Sequence, residues 1–127
     1  MKIKFLSLIV CLFAGAMMAS AQGGNFRQRT VEERVQTIHQ KMDSTFKLEP
    51  AKLTKVDSAF ATYYRATDKL RQELMSGGDR PDRQVMMEKM APLTDARDAE
   101  LKGILTEDQY KKWKDELEPS MRPQRRQ

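Results

Sequence analysis

The chain has 127 residues, with 23 Lys and Arg against 18 Asp and Glu for a formal net charge of +5, and a single cysteine. That length holds one small domain and leaves no room for separate catalytic and regulatory units. With 32% of residues charged, 39% hydrophobic and only 7% aromatic, the composition fits a polar, all-α protein better than a β-sandwich or a membrane bundle.

Lys2 and Lys4 precede an apolar run from Phe5 to Met18, broken by Ser7, and Ala19-Ser20-Ala21 places small residues at −3 and −1. Residues 1–21 therefore read as a cleavable signal peptide, with the mature chain starting at Gln22. The run is short for a bilayer span, and no stop-transfer segment follows it. Cys11 follows Val10, where a lipoprotein site needs a small residue, so it is expected to leave with the signal. A mature chain without cysteine has no disulfides, thiolate metal sites or cysteine nucleophile. Arg27 and Arg29 fall in an arm, residues 22–29. Arg122, Arg125 and Arg126 fall in a tail, residues 119–127, expected to be disordered. These five cations leave a small negative excess between them, so a nucleic-acid groove is not expected.

Residues 30–118 carry the helical pattern. Thr30 and Glu33 form a capping box, followed by Val31, Val35, Ile38, Met42 and Phe46 on one face. Pro50 suits the first turn of a second helix, whose stripe is Leu53, Val56, Phe60, Tyr63, Thr67, Leu70 and Leu74. Gly77-Gly78 ends it in an exposed turn. A third helix is expected from about Asp82, with Met86, Met90, Leu93, Leu101 and Ile104 on one side and Pro92 kinking or splitting it. Arg97 and Glu100 also fall on this stripe and read as a pair at the edge of the packed face. A short fourth helix carries Tyr110, Trp113 and Leu117, and Pro119 is expected to end regular structure. Exposed acid-to-base pairs four apart are expected at Asp43–Lys47, Asp98–Lys102, Glu107–Lys111 and Asp108–Lys112. Together these elements describe a long helical hairpin with short flanking helices, about four in all. Its one-sided stripes are expected to be covered by pairing into a curved homodimer.

The junction Leu105-Thr106-Glu107-Asp108-Gln109-Tyr110 carries the most information. Thr106 is an N-cap, Gln109 completes its capping box, and Leu105 can staple to Tyr110. A degenerate copy lies upstream: Leu48, Leu53, Val56 and Phe60 repeat the spacing of Leu105, Tyr110, Trp113 and Leu117. There Glu49 and Lys52 replace the Thr and Gln, and Pro50 takes over the start of the helix. On these residues the chain resembles the LTxxQ-motif proteins of the Spy/CpxP type, small exported helical proteins of the bacterial envelope. The resemblance implies a periplasmic location, a cradle-shaped dimer, and ATP-independent protection of unfolding envelope proteins or modulation of envelope stress signalling.

Several residues lie off the seams. Tyr64 and Met75 flank the second stripe, Val85 and Met87 the third, and Met75, Met86 and Met87 approach the glycine turn from both sides. With Met90 they form a candidate client-binding set, since flexible, polarizable thioethers suit surfaces that accept many shapes. Arg65, Lys69, Arg83 and Lys89 are the cations expected to draw acidic client segments to it. The same methionines equally suit a dimer core. Unfolded or misfolded envelope proteins are the expected partners, and the alternative is one stress-sensor kinase domain for which the protein is an adaptor or inhibitor. A metal-responsive role rests only on Met86, Met87 and Met90 as Cu(I) ligands, because His39 is the sole histidine and reads as a flank residue. Neither catalytic residues nor a cofactor is expected: carboxylates alternate with Lys and Arg, as on a solvated face.

Overall fold

A computed structural model describes residues 27–122. The signal-peptide reading, Cys11, and Arg125 and Arg126 of the tail lie outside the described residues.

Helix α1 spans Val31–Phe46, α2 Pro50–Met75, α3 Arg83–Ile104 and α4 Glu107–Lys112. The last continues without a break through a π-helical turn, Trp113–Leu117, into α5, Glu118–Met121. Among the described residues there is no strand. The chain is thus all-α, with α2 and α3 as a long hairpin, α1 laid along α2, and the C-terminal segment of α4, π turn and α5 folded back on α3.

Local chemistry sets most of these boundaries. Thr30 Oγ1 accepts from the Glu33 N–H at 3.2 Å, and Glu33 Oε2 accepts from the Thr30 N–H at 2.9 Å, so two orphan donors of the first turn are satisfied together. Thr106 and Gln109 repeat the device at 3.2 and 3.1 Å. The degenerate copy lacks it, as its sequence implies: Glu49 makes no side-chain cap, and Pro50 opens α2 with a residue that has no N–H to orphan. Lys47 closes α1 in the left-handed region at φ 50°, donating its N–H to the Asp43 carbonyl at 2.9 Å. Gly78 turns the hairpin at φ +83°, a conformation that glycine adopts without Cβ strain.

The core sits at the base of the hairpin, opposite the glycine turn. Ile38 and Met42 of α1, Leu53, Val56 and Phe60 of α2, Leu101 of α3 and Trp113 of the π turn are buried together with the linker residues Leu48 and Leu105. Each large side chain fully buried here contributes ~1.5–3 kcal/mol. The two copies of the repeated unit meet in this core, where Phe60 of the first and Trp113 of the second lie edge to face with centroids 5.4 Å apart. The expectation that one chain cannot hide its stripes is corrected for this half of the molecule: α1 and the C-terminal segment bury them internally.

Three further expectations are narrowed or changed. Of the kink or split expected at Pro92 the split does not occur, and α3 runs through it as one helix; the proline and Glu88, four residues before it, are both exposed, so the acceptor that the ring leaves without a donor lies on a solvent-facing side. Pro119 does not stop the chain. The π turn ends just before it, so the proline falls in the first turn of α5, and helix continues to Met121 at the head of the segment expected to be disordered. The exposed Asp98–Lys102 pair gives way to an inward-turned Asp98, and Lys111 reaches forward to Asp115 rather than back to Glu107.

Candidate functional site

Two regions concentrate chemistry, one polar and buried at the base, one apolar and open at the tip. The first is a network on the seam between α3 and the C-terminal segment. The Arg97 side chain is 5% exposed, and its guanidinium donates to Asp98 Oδ1 at 2.7 Å and to Glu118 Oε1 at 3.3 Å. Lys114 Nζ lies 3.0 Å from Asp98 Oδ2 and 2.8 Å from Glu118 Oε2. The same guanidinium stands over Tyr63 at 4.7 Å and Phe60 at 5.4 Å. Burial disfavours the Arg97 and Lys114 charges, yet hydrogen bonding and charge attraction to the two carboxylates outweigh it and raise both pKa values. Burial likewise opposes the Asp98 charge, but hydrogen bonds from Arg97 and Lys114 bring its pKa below the ordinary value. Arg97 therefore does not pair with Glu100 at the edge of the packed face, as its place on the stripe suggested. It is a buried cation that ties three elements together.

A matching pair of ties fixes α1 to α2. Arg34 is ion-paired with Asp68, and His39 Nδ1 lies 2.8 Å from Asp57 Oδ2. Arg34 also covers the Tyr64 ring, 4.6 Å from its centroid. Tyr64, a candidate contact residue, is half-buried between Arg34, Phe60 and Tyr63, and burial pushes its phenol pKa up against the pull of Arg34.

Beside the base network, a surface groove of about 670 Å³ runs along Leu105 and Tyr110. Its cations are committed within the chain: Lys102 lies over the Tyr110 ring at 5.2 Å, Lys111 pairs with Asp115, and Lys114 holds the half-buried Asp98 and Glu118 carboxylates. Among the described residues, no three His, Cys, Asp or Glu side chains are grouped to hold a metal ion.

The second region is the tip. Antiparallel ties from Arg34 to Asp68 and from His39 to Asp57 bring the start of α1 only as far as the neighbourhood of residue 70 on α2. The C-terminal segment reaches α3 at Arg97 and Asp98. Beyond these points α2 and α3 continue as a bare hairpin. Met75 and Met87 are 64% and 63% exposed and Val85 39%, while Met86 and Met90 are half-buried, as are Leu70, Leu74 and Leu93. Arg65, Lys69, Arg83 and Lys89 are all exposed, Lys69 within 3.9 Å of Glu73. The structure so brings five of the six apolar candidates to one end and leaves Tyr64 behind. The residues that sequence reasoning missed are Asp98, Lys114 and Glu118; the available signal was Arg97, a cation on an apolar stripe that required anions beside it.

A family model described as a domain of unknown function (DUF4890) matches residues 19–113, and the chain belongs to that family. No curated protein and no solved structure matches it. Among the described residues, no helix is long and apolar enough to cross a membrane.

Proposed function

We propose that the protein is an exported, ATP-independent holdase that takes up unfolded envelope proteins at the tip of its α2–α3 hairpin, in the periplasm. The observation that carries this reading is the contrast between a base whose core is closed and a tip where Met75, Val85 and Met87 stand in solvent. Exposed apolar side chains clustered at one end of a polar molecule mark an interaction surface, and methionine supplies one that reshapes to different sequences. Mixed exposed charge around it keeps the complex soluble and the contact reversible. The signal peptide and the LTxxQ-type resemblance support the compartment and the class of activity. The same proposal has two chains associating into a homodimer, since Leu70, Leu74 and Leu93 remain only half-buried within one copy.

The test is light scattering of a chemically denatured client with the mature protein and no nucleotide. Suppressed aggregation is expected, together with its loss in a Met75→Ser, Val85→Ser, Met87→Ser variant that keeps the parent's thermal midpoint. Unchanged aggregation at several-fold molar excess overturns the reading. Recovery of one stoichiometric partner in an envelope pull-down assigns the tip to a signalling adaptor instead. Sedimentation tests the dimer separately.

A further inference from the structure

We infer that Met75 and Met87 are an oxidation site, and that conversion of their thioethers to sulfoxides by a peroxide or hypohalous acid closes the tip as an apolar surface. The chain's described methionines fall into three environments. Met42 is fully buried in the base core, Met86, Met90 and Met121 are half-buried, and Met75 and Met87 present most of their surface to water. Sulfur oxidation needs collision with the oxidant, so exposure ranks their susceptibility. Position sharpens this. Met75 is the last residue of α2, Met87 lies in the second turn of α3, and Gly77-Gly78 joins the two helices between them. The two most exposed methionines therefore belong to the uncovered end of the hairpin, and the one most deeply built into the core, Met42, is the one that solvent does not reach.

The chemistry is balanced by the oxidant alone. A sulfur lone pair attacks one oxygen of hydrogen peroxide; the S–O bond forms as the O–O bond breaks, and the departing hydroxide takes a proton to leave as water. Sulfur loses two electrons and the peroxide gains them. The product carries a strong acceptor oxygen where the surface was apolar, and an acceptor buried against a client without a donor opposes association. A methionine sulfoxide reductase with a thiol reductant reverses the step. The consequence for clients rests on the proposed holdase reading; the reactivity order and the loss of apolar surface do not.

Peptide mapping of the folded mature protein during hydrogen peroxide treatment measures each methionine separately. Met75 and Met87 are expected to gain oxygen at least about tenfold faster than Met42. Binding of a fluorescent apolar dye is expected to fall in step, and treatment with sulfoxide reductases and dithiothreitol to restore it. A Met75→Leu, Met87→Leu variant keeps the apolar area without a thioether, so its dye binding should survive the same treatment. Equal oxidation rates at Met42, Met75 and Met87, or dye binding that falls as far in the leucine variant as in the parent, overturns the inference. Dye and mapping results that agree with it, alongside a client assay that shows no protection before oxidation, leave the oxidation site standing and remove the holdase reading.

Discussion

The Arg97 guanidinium lies 4.7 Å from the Tyr63 ring centroid, so a charge placed among the apolar residues of α3 meets α2 through an aromatic face. On its other side are the carboxylates of Asp98 and Glu118. An arginine can satisfy both surroundings at once, because its planar cation stacks on rings while its edge donates to carboxylates.

Removing that cation leaves the half-buried Asp98 to Lys114, and the half-buried Glu118 to Lys114 and the outlying Arg122. Arg97→Ala is expected to lower stability by ~3–5 kcal/mol, the range for breaking a buried ion pair from one side. Arg122, exposed and 3.7 Å from Glu118, should lose no more than ~1 kcal/mol on the same replacement. Urea unfolding of the two variants measures both, and similar losses would show that Arg97 is not the tie described above.

The network also sets a pH response. The folded pKa of Asp98 is held below its ordinary value, chiefly by the hydrogen bonds that overcome its burial. Its contribution is therefore complete above the unfolded carboxylate pKa of about 4 and is lost as pH falls below it through the lower folded value. For Arg97 and Lys114 the folded values are raised, so their contribution is complete below the unfolded value and is lost only as pH rises through the folded one. For Lys114 that lies above about pH 10. Thermal midpoints of the parent should stay level, as far as this network is concerned, between roughly pH 5 and 9 and fall in acid. Asp98→Asn should be less stable at neutral pH, with a shallower acid limb.

Pro92 offers the opposite sign. It sits on an exposed turn inside α3, and alanine there restores a donor toward the Glu88 carbonyl. Pro92→Ala is expected to raise stability by ~1–3 kcal/mol, since proline in a helix interior costs about 3 kcal/mol relative to alanine. Hydrogen exchange should show slower exchange at residues around 88–92. Unchanged stability would mean that the exposed carbonyl is as well served by water as by the chain.

Much of the helix framework was legible because its signals are local. The Thr30–Glu33 and Thr106–Gln109 boxes each bring together residues three apart, and the stripe through Leu53, Val56 and Phe60 follows from helical periodicity. The exposed tip was legible for the same reason, as Met75, Val85 and Met87 fall off their stripes. Tyr64 looked equivalent by that rule, but its surroundings come from Arg34, thirty residues away on another helix. The buried network was hidden more deeply. Arg97 and Glu118 meet only because the chain after Leu105 folds back and changes its winding at Trp113, and neither event follows from spacing along one helix. Periodicity also misread Pro119, whose tolerance depends on where a turn ends.

That change of winding has a further consequence. Across Trp113–Leu117 the Glu118 N–H reaches back to the Trp113 carbonyl, five residues rather than four, so the backbone absorbs one residue more than an ordinary turn. Everything downstream is thereby swung by roughly 100° about the axis compared with uniform α-helical winding. Glu118 owes its bearing toward Arg97 to this phase offset. The C-terminal segment thus works like a key cut with one surplus notch: a chain one residue shorter at this point would return to ordinary winding with the carboxylate on the same bearing, whereas the present chain wound evenly would aim it elsewhere.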